Sequence, residues 1–159
     1  MIKKILQIIV QSFEKFGYKI KWHILNAKDF GLAQNRERLI IIGSRDRYFN
    51  FSKLIKTKSK SIKDILEKEV SFEFLRSDEY TILPKEKWKK QLSSLIFCGY
   101  RNKLIRINGV RLNTEHLSRI HKQSNRIYFV EGTHPTLLSQ ESSGRFWIYD
   151  GKKSKKIYS

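Results

Sequence analysis

Residues Leu39 to Ile42 form an uninterrupted apolar run, Leu-Ile-Ile-Ile, closed by Gly43. A short run without alternation predicts a β-strand covered on both faces, because a strand with one wet face alternates apolar and polar side chains. Such a strand needs neighbours on each side, and little sequence precedes it to supply them. Residues 2 to 16 carry Ile2, Ile5, Leu6, Ile9, Phe13 and Phe16 at helical spacing, and Gly17 stands where a C-capping glycine belongs. From Tyr18 to Ile24 the period becomes two. Tyr18, Ile20, Trp22 and Ile24 share one face, with Lys19, Lys21 and His23 on the other, the pattern of a half-buried strand. Asn26 to Glu37 is polar, contains Gly31 and reads as a loop. A helix, a half-buried strand, a long loop and a doubly covered strand are an odd way to begin an independent domain. The expectation is a piece of a larger fold.

Further along, Ser61 to Val70 predicts a helix with Ser61 as N-cap and Asp64 at the capping-box spacing. Pro84 predicts the start of a short helix running through Trp88 and Leu92. Strands are expected at Leu95 to Phe97, Leu104 to Ile107, Arg126 to Val130 and Phe146 to Tyr149. There is no internal repeat and no low-complexity tract.

The charge balance narrows the partner. Lys and Arg number 33 against 15 Asp and Glu, a net +18 over 159 residues. A field of that sign and size is the common footprint of nucleic-acid binding. A compositional bias towards Lys and Ile would account for the lysines better than for the arginines after residue 100. Cys98 is the only cysteine, so there is no disulfide framework and a reducing compartment fits. The apolar start resembles a signal peptide for a few residues, but Gln7, Gln11, Glu14 and Lys15 interrupt it. A soluble, cytoplasmic protein is expected. His116, His121 and His134 are too scattered in sequence for a metal site, and no metal is expected.

The most informative stretch is LNAKDFGLAQNRERLIIIG, Leu25 to Gly43. Gln34, Arg36 and Arg38 alternate, so in extended backbone they share one face, and Glu37 points away. Two guanidiniums and an amide make a rigid donor array for carbonyl oxygens or phosphates. The alternative is an arginine pair in surface salt bridges. The stretch resembles the cytosine-5 DNA methyltransferase motif LNA-x-D-[YF]-G-x-x-Q-x-R-x-R, which precedes an apolar strand. Leu25, Asn26, Ala27, Asp29, Phe30, Gly31, Gln34, Arg36 and Arg38 all match. Later, Arg126-Ile127-Tyr128, Gly132 and Pro135-Thr136-Leu137 resemble the phrase that closes the same family's target-recognition domain.

The resemblance implies an α/β chain with a broken fold. Residues 1 to 50 would be the C-terminal part of a doubly wound catalytic sheet. Residues 51 to 159 would be an irregular, mainly β target-recognition domain, truncated before the closing motifs. It implies methylation of cytosine C5 in a specific DNA sequence with S-adenosylmethionine, in a restriction–modification setting. It also implies that the catalytic segments lie elsewhere. The Pro-Cys nucleophile, the Glu-Asn-Val carboxylate and the Gly-rich donor loop are not in the sequence, and Cys98 follows Phe97 in an apolar context that raises a thiol pKa. The expectation is therefore a catalytically incomplete chain without a binding site for the methyl donor. It would act on double-stranded DNA, with a complementing N-terminal methyltransferase chain as a further partner.

By the same resemblance Arg38 would reach the O2 of a flipped cytosine, Arg36 would brace the loop, and Thr136 would hold the nucleotide backbone. Gln34, Arg101, Arg106, Arg111 and Arg126 complete the candidate DNA-facing set, since Arg suits guanine and an amide suits adenine. A plain phosphate-binding surface would account for many of the same residues. Two rival readings remain at this level: a stand-alone basic nucleic-acid-binding protein, for which no RNA-recognition or oligonucleotide-barrel pattern is found, and a non-functional gene remnant.

Overall fold

The computed structural model describes residues 2–67, 73–102, 114, 116–136, 146–151 and 154–157. Helix α1 (Ile2–Lys15) ends as its sequence predicts. Gly17 adopts φ 79°, a conformation that costs glycine nothing. Its N–H bonds Glu14 O at 2.9 Å and the Tyr18 N–H bonds Phe13 O at 3.2 Å, the paired bonds of a Schellman cap. The Phe13 and Tyr18 rings meet edge to face at 5.9 Å across it, which fixes the angle at which the chain leaves the helix.

Strands β1 (Lys19–Asn26) and β2 (Glu37–Ser44) pair antiparallel as a two-stranded sheet, with Trp22 opposite Ile41 and Ile24 opposite Leu39. Helix α1 packs on β1, and Leu6 and Ile20 are buried there. Gly43 leaves room for Ile20: a Cβ there would lie 2.5 Å from Ile20 Cδ1, and that side chain would have to shift. The strand expected at Leu39 to Ile42 is present, but its burial is not as expected. Leu39, Ile40 and Ile41 keep 41, 36 and 36% of their surface exposed, and Trp22 and Ile24 are exposed beside them. A two-stranded ribbon cannot cover both of its own faces.

The remaining strands form a seven-stranded sheet. They are β3 (Glu73–Phe74), β4 (Tyr80–Ile82), β5 (Lys89–Lys90), β6 (Ile96–Arg101), β7 (Arg126–Phe129), β8 (Phe146–Tyr149) and β9 (Ser154–Ile157). Their order is β3-β9-β8-β7-β6-β4, with β5 also on β6. All pairs are antiparallel except β7 with β8. One cluster gathers Ile62, Leu83, Leu95, Phe97, Tyr100, Tyr128, Val130 and Ile148, and a second gathers Leu75, Cys98, Ile127 and Trp147. Gly99 is where β4 crosses closest, since a Cβ there would lie 2.5 Å from Thr81 O.

Two expected helices are not formed. After Ser61 there is only a 3-10 turn, Ile62–Asp64, although the capping bond is made, with the Ser61 N–H donating to Asp64 Oδ2 at 2.7 Å. That bond and the Ser61 hydroxyl hold the Asp64 carboxyl below its ordinary pKa. The turn is tied to the segment after β7, where the Ile62 and Lys63 N–H groups bond Gly132 O and Val130 O. Residues 68–70 of that stretch lie outside the described residues. After Pro84 there is a 3-10 turn, Lys85–Lys87, and then β5, because Lys89 and Lys90 pair with Phe97 and Ile96. The strand expected at Leu104 to Ile107 also lies outside the described residues. No described helix is long and apolar enough to cross a membrane.

Candidate functional site

The loop joining β1 to β2 is tied down by one buried side chain. Asn26 Oδ1 accepts the N–H of Lys28 at 3.2 Å and of Arg36 at 3.1 Å, and Asn26 Nδ2 donates to Asn35 Oδ1 at 2.8 Å. The loop's two ends are thereby drawn to one amide, and the backbone closes the same gap, with the Ala27 N–H on Arg36 O. Gly31, at φ 83°, turns the loop against Thr57, whose hydroxyl would lie 2.9 Å from an added Cβ. The Thr57 N–H bonds Asp29 O, and Lys56 pairs with the Asp29 carboxylate at 3.3 Å.

The second tie reaches the seven-stranded sheet. The Asn35 N–H bonds His134 O at 2.8 Å, the His134 N–H bonds Ala33 O at 2.7 Å, and Gln34 and His134 form a parallel bridge. The Thr136 hydroxyl donates to Asn35 O at 3.2 Å, across 101 positions of sequence. Thr133 is bonded in turn to Ser93 O and Ser94 O. Gly132 must be glycine for that approach, since a Cβ would lie 2.9 Å from Ile96 N. The Gln34–Arg38 stretch and the His134–Thr136 stretch, separate motifs in the sequence, therefore meet in space. Beside the junction lies a cavity of about 310 Å³ between Leu32, Ala33, Gln34, Lys60, Ile65 and His134.

Arg36 stands just before β2, half-buried, and Arg38 is exposed in β2 with Nη1 on Glu37 O at 2.7 Å. Neither forms an ion pair in the structure, so the salt-bridge alternative finds no support among the described residues. The other arginines are placed differently. Arg101 lies over the Trp147 ring at 4.8 Å. Arg126 donates from Nε to His121 O at 3.0 Å. Arg106 and Arg111 lie outside the described residues. Cys98 is buried with its Sγ on Ile127 O, and desolvation pushes the thiol far above its ordinary pKa, the state of a packing residue rather than a nucleophile. Among the described residues no three His, Cys, Asp or Glu gather as metal ligands.

Sequence reading did not single out Asn26, Asn35 or His134 as organisers. Asn26 and Asn35 flank the loop at the spacing of two anchor points, which is a signal only once the loop's closure is known. His134 carries a pH consequence. Its ring is buried with Nδ1 2.7 Å from Pro135 O, and desolvation lowers its pKa from 6.5 to about 4. The unfolded chain thus binds the proton more readily, so this contribution is complete above about pH 6.5 and is lost as pH falls towards 4. The melting temperature should drop across that window, by an amount equivalent to roughly 3 kcal/mol. His134→Gln should flatten the drop; an unchanged acid limb in that variant would remove His134 as its cause.

A family model described as C-5 cytosine-specific DNA methylase matches residues 2–155. Over 94% of its length the chain is 29% identical to the orphan methyltransferase M.SssI of Spiroplasma monobiae, of which it covers 34%. It is 40% identical to the type II methyltransferase M.DsaV of Dactylococcopsis salina over 46% of the chain and 22% of that protein. With the type II methyltransferase M.SsoII of Shigella sonnei it shares 29% identity over 87% of the chain and 37% of the relative. The chain therefore spans little more than a third, at most, of these relatives' length. The match along nearly all of its residues shows that this chain belongs to the C-5 cytosine-specific DNA methylase family.

Proposed function

We propose that the chain is the C-terminal, target-recognising part of a DNA (cytosine-5)-methyltransferase that methylates cytosine C5 in a specific duplex sequence. Residues 1–50 are read as the end of the catalytic, doubly wound domain and residues 51–159 as the target-recognition domain. The observation that carries this reading is the junction of the Gln34–Arg38 loop with His134–Thr136, which sets an unpaired arginine pair beside the recognition sheet. Arg38 reaches the O2 of the extruded cytosine and Arg36 braces the loop. Gln34, Arg101 and Arg126 are further DNA-facing candidates, joined by Arg106 and Arg111. The names of the type II relatives favour a restriction–modification setting.

The methyl donor of such an enzyme is S-adenosylmethionine. No two of the eight glycines lie closer than seven positions, so no Gly-rich turn is available to cradle it, and these residues do not fit that group. The chemistry belongs to a partner segment carrying the nucleophile, and the exposed Trp22, Ile24, Leu39 and Ile41 mark where that segment docks. A large apolar face of this kind is what an interrupted sheet leaves open.

Incubated alone with labelled S-adenosylmethionine and cytosine-containing duplex, the chain is expected to transfer no methyl group. Its binding to two unrelated duplexes should show similar affinities that fall steeply with salt, as +18 of charge dictates. Clear methyl incorporation would overturn the division of labour, and a salt-insensitive complex would overturn the phosphate-dominated mode.

A further inference from the structure

We infer that Asn26 and Thr136 are positioning residues for the Arg36–Arg38 pair, acting through Asn35 as a single clamp. This inference rests on the reading of those arginines as contacts to an extruded cytosine. Asn35 uses three of its hydrogen-bonding groups on the clamp. Its N–H goes to His134 O, its carbonyl accepts the Thr136 hydroxyl, and its side-chain oxygen accepts Asn26 Nδ2. The next residue is Arg36, whose N–H is held by Asn26 Oδ1. The backbone that carries the arginines is thus fixed from two sides, by β1 through Asn26 and by the recognition sheet through Thr136.

Thr136 has one hydroxyl proton. In the structure it is given to Asn35 O at 3.2 Å. A phosphate oxygen only accepts, so the same proton cannot serve a nucleotide backbone at the same time. Without DNA the hydroxyl therefore has a second task besides the nucleotide contact expected from sequence: it ties the arginine loop to the His134–Thr136 segment. Recognition-side contacts and arginine placement are then one rigid event, and side chains held this way need not be ordered when DNA arrives.

The test uses the whole chain and two otherwise identical duplexes, one fully paired and one with a single unpaired cytosine. The readout is the ratio of the two affinities by fluorescence anisotropy. Wild type should prefer the unpaired cytosine about tenfold, roughly the worth of one charge-assisted contact. Thr136→Val should lose most of that ratio and Thr136→Ser should keep it. Asn26→Asp keeps the oxygen for the Lys28 and Arg36 N–H groups but removes the donor to Asn35, and should also lower the ratio. Amide hydrogen exchange reads the clamp without DNA: exchange at Arg36 should rise at least about tenfold in Thr136→Val, while Ile127 and Ile148 stay protected. A ratio that survives Thr136→Val, or Arg36 exchange that does not change, overturns the clamp and leaves the arginine reading standing. A wild type with no preference for the unpaired cytosine overturns the arginine reading, and the positioning role falls with it.

Discussion

Trp147→Ala is expected to cost about 3–5 kcal/mol, the range for removing a fully buried large aromatic side chain. Trp147 is 2% exposed and packs with Leu75, Cys98 and Ile127, opposite Ile127 in the parallel β7–β8 pair. Its ring also carries the Arg101 guanidinium at 4.8 Å, so the truncation opens a cavity and strands a cation over it. A domain of ordinary stability holds only about 5–15 kcal/mol, and the β1–β2 ribbon, half exposed, adds little to that reserve. Urea denaturation followed by far-UV circular dichroism should show a large loss of midpoint, with Trp147→Phe falling between the two. A loss below about 1 kcal/mol would mean that the seven-stranded sheet does not depend on this core, contrary to its burial.

The elements with purely local causes were legible in the sequence. The α1 helix and its Gly17 cap appear as expected, and β1, β7 and β8 lie within a residue or two of their expected positions, because periodicity and a positive-φ glycine act within a few residues. The covered face expected for β1 is not formed, since Trp22 and Ile24 are exposed and, of its apolar residues, only Ile20 is buried. The failures share a tertiary cause. Ser61 and Asp64 form their capping bond, yet no long helix follows; the Ile62 and Lys63 N–H groups, which a helix would leave without an internal partner, bond Gly132 and Val130 and tie the single turn to its neighbours. A capping signal says where a turn starts and not how far it runs. The Leu39 to Ile42 run correctly marks a strand, but its burial depends on what lies against it, which no local pattern contains. The site was legible as a motif but not as a geometry. Gln34, Arg36, Arg38 and Thr136 could be picked out, whereas the linking roles of Asn26, Asn35 and His134 rest on partners that only the folded chain brings together, through the Asn26 and Asn35 side-chain amides and the backbone of Asn35 and His134.

Arg38→Ala should lower methylation about ten- to a hundred-fold when the chain is combined with a partner carrying the nucleophile, the carboxylate and the donor pocket, together with any closing segments required. The arginine is exposed, and its one described bond is to its neighbour's carbonyl at 2.7 Å, so it can turn to a base at little cost. Loss of a charge-assisted contact to the extruded cytosine amounts to roughly 1.5–3 kcal/mol, which is that range of rate. The comparison that gives the number meaning is a lysine from the same basic surface. Lys58 is exposed and can touch only phosphate, a screened contact whose removal should change the rate by less than about threefold. Lys56 and Lys63 are poorer controls because each is already paired, with Asp29 and Glu131. Burst kinetics on the reconstituted enzyme would show whether the Arg38 deficit lies in the chemical step or in DNA affinity. A deficit in the chemical step places the guanidinium at the base in the transition state, and one confined to affinity makes it another phosphate contact. Full activity with Arg38→Ala would remove the arginine pair from the target cytosine while leaving membership of the family untouched.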